Sequence, residues 1–192
     1  RHGDDLWQAL QGPDSDPALW DYLPYGPFSE RAAFDAWLSG HAASRDPLFF
    51  SVIDLSQQRA VGLLSYLRIA PKDGCIEIGH IAFGRAMQRS PASTEAVYLL
   101  AKLALGTLGY RRLEWKCNAD NARSMSAAKR LGFSYEGLFR QHMVVKRRNR
   151  DTAWFAILDR EWPACNAAFE RWLAADNFDA EGRQQQRLQD LR

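Results

Sequence analysis

Apolar residues recur at helical spacing in two stretches before residue 43, and then at strand spacing from Leu48 to Gly84. The first stretch, DDLWQALQ (4–11), predicts a short helix with acidic residues at its positive end. The segment Gly12–Phe28 is rich in Pro, Gly and aromatics and suits neither regular element. Ser29 is placed to cap a second helix over 29–42, with Phe34, Trp37 and Leu38 on its apolar stripe. LFFSVIDLS (48–56), AVGLLSYLRIA (60–70) and CIEIGHIAFG (75–84) follow as strands, separated by QQR and by the reversal Pro71-Lys72-Asp73-Gly74. They predict an antiparallel meander. A helix over 91–109 gathers Val97, Leu100, Ala101, Ala104, Leu105 and Leu108 on one face, and Gly109 ends it. RRLEWKCNA (111–119) alternates Leu113, Trp115 and Cys117 against Arg112, Glu114 and Lys116, a half-buried strand. A helix over 121–131, strands over 135–147 and 151–159, and a helix over 167–175 complete the pattern. The polar tail RQQQRLQDLR (183–192) reads as a weakly packed or partly disordered helix.

At 192 residues the chain suits one domain with a sizeable core. A net charge of +2 gives no overall excess of Lys and Arg and argues against nucleic acid as a partner. The one basic cluster, Lys146-Arg147-Arg148-Asn149-Arg150, falls between two strands and reads as a solvated turn. Cys75, Cys117 and Cys165 are scattered, with neither a disulfide framework nor a zinc-site spacing, so no metal is expected. They fit reduced, buried thiols in a cytoplasmic protein. No apolar run reaches the ~18 residues of a membrane span, and there is no signal peptide, so no membrane partner is expected. The abrupt start at Arg1 suggests that an N-terminal piece is absent.

Polar residues concentrate where strands end and helices begin. In Gln88-Arg89-Ser90-Pro91-Ala92-Ser93-Thr94-Glu95, Ser90 fits an N-cap and Pro91 the first helical position. The free amides of Ala92, Ser93 and Thr94, with Arg89 beside them, form either an anion site or simply a well-capped helix. A strand runs directly into this loop, and a second strand ends close to another helix start, Asp120-Asn121-Ala122-Arg123-Ser124. If the two strands are parallel neighbours, both helix ends open on one edge, where α/β folds place their ligands.

EIGHIAF, the loop opening on STEA, the pair Asn121-x-x-Ser124 and Leu131-Gly132-Phe133 occur in this order, and together they resemble the GNAT superfamily of acyl-CoA N-acyltransferases. The branch they resemble includes the ribosomal-protein N-terminal acetyltransferases of the Rim type, and the likeness runs from Leu6 to Trp162. It implies an α/β (α+β) fold with a central mixed, mostly antiparallel sheet flanked by helices and splayed at the CoA site. A GNAT domain over 1–162, its first strand missing before residue 1, would precede a helical extension over 163–192. The family's pyrophosphate loop follows Q/R-x-x-G-x-G/A; the matching positions here are Gln88-x-x-Pro91-x-Ser93, so both small positions have changed.

The resemblance further implies acetyl-CoA or another acyl-CoA as co-substrate. It would be held by the loop 88–94 (Gln88, Arg89, Ser90, Ala92, Ser93, Thr94), by the main chain of Ile81, Ala82 and Phe83, and by Asn121 and Ser124. Glu77 aligns with the base of some members, His80 is a second candidate, and Ser124, then Tyr22, would protonate the leaving thiolate. A later carboxylate that serves Rim-type enzymes corresponds to Met143 and does not transfer. The acceptor wall would be Trp20, Asp21, Tyr22, Tyr25 and Phe28. The leading expectation is acetyl transfer to a primary amine, on a small molecule or a peptide N-terminus. A succinyl donor, for which Arg140 is the residue to inspect, and a non-catalytic CoA-binding module stand as alternatives. Homodimers are common in the branch, and the aromatic C-terminal helix offers a surface for one.

Overall fold

The computed structural model describes residues 1–192. Its strands are β1 (Leu48–Asp54), β2 (Arg59–Ala70), β3 (Cys75–Phe83), β4 (Arg112–Asn118), β5 (Ser134–Val145) and β6 (Arg148–Leu158). They form one open sheet in the order β1-β2-β3-β4-β6-β5. Short turns join β1, β2 and β3 as the antiparallel meander that the sequence pattern predicts. β4 pairs antiparallel with β6, and β6 with β5. Only β3 and β4 run parallel, as they must when a helix carries the chain from one to the other. Their pairing lasts from Cys75↔Arg112 to Glu77↔Glu114 and then stops, although both strands continue. The sheet is therefore split at its centre.

Helices α1 (Gly3–Gln11) and α2 (Arg31–Ala42) cover one face. There Leu6, Leu10, Trp20 and Phe34 bury against Ala60, Leu63 and Ala82. α1 comes close to the end of β3 because Gly84 has no side chain; a Cβ there would stand 2.8 Å from the Val61 carbonyl oxygen and 3.0 Å from that of Ala9. Helices α3 (Pro91–Ala101), α4 (Ala122–Arg130) and α5 (Trp162–Leu173) cover the other face. The larger core lies beneath them and includes Leu64, Ile76, Ile78, Leu113, Trp115, Phe133, Phe155 and Phe169.

The predicted helix over 91–109 is α-helical only to Ala101 and then π-helical over Lys102–Thr107. The cause is Tyr66 on β2. Its buried hydroxyl donates to the Leu100 carbonyl at 2.5 Å and meets the backbone of Ala104, so it occupies the place of an i→i−4 bond. Gly109 follows with φ +72, a left-handed position that suits it. The basic turn between β5 and β6 is a two-residue hairpin in which Lys146 and Arg147 both take positive φ, 48 and 62. It is not purely solvated, since Lys146 Nζ donates to the Trp20 carbonyl at 2.7 Å.

Three local expectations are corrected. Glu30, not Ser29, occupies the N-cap of α2, and no side chain caps that end. The C-terminal helix begins at Trp162, five residues before the predicted start, because Trp162 and Cys165 join its buried face. The polar tail is neither loose nor a regular helix. Leu188 is 1% exposed, Asn177 ties Trp172 to Gln186, and Leu188–Leu191 form a 3-10 turn. The aromatic residues of α5, Trp162, Phe169 and Trp172, lie in the chain's own core, so they do not offer the dimer surface expected of them.

Candidate active site at the split between the central strands

Beyond Glu77 and Glu114 the edge of β3 that faces β4 has no strand partner, and the gap opens between the start of α3 and the start of α4. Ser90 stands at the N-cap of α3 but does not cap it with its side chain, contrary to expectation. Its hydroxyl turns back to the Met87 carbonyl at 2.6 Å. The Ser93 hydroxyl and amide both donate to the Ser90 carbonyl. Pro91 has no amide hydrogen, so the open donors of the first turn are the amides of Ala92 and Thr94, neither of which bonds to a turn or cap carbonyl. The Thr94 hydroxyl points the other way, buried and accepting from Arg130 at 2.9 Å. Arg89 is exposed in a left-handed turn, and Gln88 Nε2 braces the loop by donating to the Phe83 carbonyl at 3.0 Å. This end can hold an anion despite Pro91 and Ser93, through two amides and the helix dipole.

Across the gap, Asn121 caps α4 by accepting from the Ser124 amide at 3.0 Å, which leaves its side-chain NH2 free to donate. The Ser124 hydroxyl accepts from Trp115 Nε1 at 3.0 Å and has the Cys117 sulfur as a second neighbour, toward which it can donate. Tyr22 reaches over from the loop before α2 and donates to the Asp120 carbonyl at 3.1 Å. The structure thus brings Tyr22, Asn121 and Ser124 to one corner.

Glu77 lies on the opposite face of the sheet, at the fork itself. Its side chain is 5% exposed and 3.0 Å from Lys116 Nζ, with Arg68 Nε at 3.3 Å. Lys116 is 3% exposed and also meets Glu114 at 2.6 Å. Burial pushes the Glu77 carboxyl upward, and Lys116 and then Arg68 oppose that shift. Lys116 also sits over the Trp154 ring at 3.7 Å. The alternation of β4 marked Lys116 as a polar-face residue, and it gave no sign that the face is buried there.

His80 occupies a left-handed position, φ 50, where the pairing of β3 with β2 slips. Its Nδ1 is 2.8 Å from the Tyr25 hydroxyl, and the two rings stack at 12°. Burial, with His41 and Arg150 nearby, lowers its pKa to about 4. That makes His80 a weaker base than an ordinary imidazole, and its Nδ1 is engaged with the Tyr25 hydroxyl. Of the remaining acceptor-wall candidates, Trp20 is 0% exposed and donates to the Leu10 carbonyl, and Phe28 packs against Trp20, Phe34 and Trp37. Trp20 belongs to the core, Phe28 and Tyr25 are half-buried against it, and Tyr22 and Asp21 are exposed.

The depressed His80 pKa has a stability consequence. Its folded value lies below the ordinary value of 6.5, so its contribution is present above that pH and is lost as pH falls toward 4. We expect about 2–3 kcal/mol to disappear across that window. Urea titrations of the wild type and His80→Asn, which tolerates the left-handed backbone, check this. A wild-type-minus-variant difference that is equal at pH 7 and pH 4.5 would rule it out.

No helix is long and apolar enough to cross a membrane, and no group of three His, Cys, Asp or Glu is placed to hold a metal ion. The acetyltransferase (GNAT) domain family matches residues 3–134. A GCN5-related N-acetyltransferase from Brucella melitensis is 47% identical, with TM-score 0.96 over 99% of this chain and 86% of its own. A GNAT-family protein from Chromobacterium violaceum is 48% identical, with TM-score 0.78 over 85% of this chain and 81% of its own. The uncharacterized N-acetyltransferase p20 of Bacillus licheniformis is 28% identical over 77% of this chain and 84% of its own.

Proposed function

The chain belongs to the GNAT family of acyl-CoA-dependent N-acetyltransferases, and from that premise we propose that it transfers an acetyl group to a primary amine by direct attack. The amine is carried by a small molecule or by a peptide N-terminus, as in the Rim-type branch that its sequence resembles. Acyl-CoA supplies an activated acyl group as a thioester. The observation that carries this reading is the loss of β3–β4 pairing after Glu77↔Glu114, beside a helix end with open amides.

In this reading the amides of Ala92 and Thr94, with Arg89, take the pyrophosphate. The unpaired edge of β3 at Ile81, Ala82 and Phe83 receives the pantetheine arm as a strand would, and the free NH2 of Asn121 donates to it. Glu77 removes the proton from the attacking amine, directly or through water. Burial makes it more basic, and Lys116 opposes that shift. As nitrogen bonds to the acyl carbon and the carbon–sulfur bond breaks, Ser124 gives the sulfur a proton, with Tyr22 next in line. The base and the donor stand on opposite faces of the sheet, so the reacting carbon lies within the split.

Asn121→Asp tests the placement. Aspartate keeps the α4 cap but loses the free donor, so acetyl-CoA affinity measured by calorimetry should fall about tenfold with little change in Tm. Asn121→Ala should also cost about 1 kcal/mol of stability from the lost cap. Unchanged acetyl-CoA affinity in both variants would remove Asn121 from the cofactor site.

A further inference from the structure

Two buried donors near the split have no partner, the Nε of Arg150 and the Nε1 of Trp154. Both belong to β6, and they lie on the same face of it, with Thr152 between them. That face is the one that carries Glu77 and Lys116, because Ala153 and Phe155 point into the larger core on the other side. Arg150 enters none of the chain's ion pairs. Around it stand Glu77, Arg68, Cys117 and His80, and His142 on β5 senses Arg68, Arg150 and Lys116 together. His142 is itself held by Thr152 at 3.0 Å.

The charges here do not balance. Glu136 is bound by both terminal nitrogens of Arg112, which leaves Glu77 and Glu114 facing Lys116, Arg68 and Arg150. One cation is in surplus, and Arg150 is the half-buried guanidinium that no carboxylate pairs with. Two enclosed donors without an acceptor, the Nε of a half-buried guanidinium and an indole N–H, are costly unless a ligand pairs with them. The last β4 pair is Asn118↔Thr152, and the Ala119 amide donates to the Asp151 carbonyl at 2.9 Å. Arg150 therefore stands beside the loop that leads to Asn121 and Ser124, close to where the acyl group would be transferred. Arg140, the residue that the sequence put forward for a charged donor, is exposed in the β5 bulge and is not part of this cleft.

We propose that Arg150 and Trp154 bind a carboxylate carried by the substrate, either on the amine acceptor or on the acyl group of the donor. The inference rests on acyl transfer taking place at this split. A planar carboxylate suits a guanidinium fork, and it offsets the surplus charge. A polyamine acceptor, by contrast, would meet repulsion here.

The test compares matched ligands on the wild type, Arg150→Gln, Arg150→Lys and Trp154→Phe. Calorimetry on the CoA-loaded protein uses N-acetyl-β-alanine against its amide for the acceptor side, and free succinate against succinamide for the donor side. Rates are then measured with β-alanine against β-alaninamide, and with acetyl-CoA against succinyl-CoA. We expect the wild type to favour the carboxylate roughly 10- to 100-fold on one of the two sides. In Arg150→Gln that preference should shrink to within about twofold, with Arg150→Lys in between and Trp154→Phe losing a smaller part. The side on which the preference appears identifies the bearer of the carboxylate. Equal binding of carboxylate and amide, or a preference that survives in Arg150→Gln, overturns the proposal. Transfer to amines without that preference overturns the carboxylate site alone. Carboxylate binding that needs Arg150, with no transfer to any amine, upholds the site and overturns the reaction. Arg150→Gln should fold, because it removes a desolvated charge; its Tm without ligand should equal or exceed that of the wild type.

Discussion

Lys116→Met should lower the unfolding free energy by about 3–5 kcal/mol, the largest stability loss expected of any single exchange near the split. Glu77 and Glu114 are direct neighbours in the last pair between β3 and β4, and the Lys116 ammonium joins them, 3.0 Å from one and 2.6 Å from the other. Without it two enclosed carboxylates face each other, and only Arg68 and Arg112 remain paired with them, with Arg150 nearby but in no ion pair. The penalty should ease in acid. The variant's Glu77 would have a folded pKa raised further above its unfolded value, so protonation favours the folded state, and stability returns as pH falls. Urea titrations at pH 7.5 and pH 5 measure both effects. The double variant Glu77→Gln/Lys116→Met should cost less than the single lysine exchange, since one of the two like charges is gone. A loss below about 1 kcal/mol at pH 7.5 would mean that water enters the fork and screens the pair.

Glu77→Gln should leave the fold nearly intact and reduce kcat by about 10²–10⁴-fold. Glutamine fills the same volume, and Lys116 keeps Glu114 as a partner. The amide cannot take a proton, so the alkaline-rising limb of the rate–pH profile should flatten as the rate falls. Acetyl-CoA affinity should hold, because Glu77 lies on the face of the sheet opposite the starts of α3 and α4. An unchanged rate with a normal Tm would leave Glu77 a purely structural member of the buried cluster.

The elements were legible where side-chain spacing alone decides them. The meander, the alternation of β4, and the strand–loop–helix units around Ser90 and Asn121 all followed from period and turn residues. The parallel approach of β3 and β4 was only a condition in the sequence reading, and the strand pairing supplies it. The contents of the fork were not legible. Arg112, Glu114 and Lys116 have the same pattern whether water or opposite charge satisfies them, and only the register of Glu77 against Glu114 shows which. Arg150 was hidden inside a basic run that reads as a turn; four of its residues are exposed, and the fifth turns inward. Trp20 and Phe28 misled for the opposite reason. A Pro-rich loop full of aromatics suggested a pocket wall, and Trp20 is instead buried core with Phe28 packed against it, half-buried. His80 illustrates a third limit, because ring type indicates an ordinary pKa but not the burial that depresses it.

The phenol of Tyr66, lodged in the helix beyond α3, also fixes the orientation of that helix. A π-turn inserts one extra residue into the winding, so the side chains beyond Ala101 point in a different direction from those an uninterrupted α-helix would present. The helix can neither roll nor slide along the sheet without pulling the Leu100 carbonyl off the hydroxyl of a β2 side chain. One hydrogen bond near its far end thus acts as a keyway, and the two bare amides at its near end keep a constant bearing on the split.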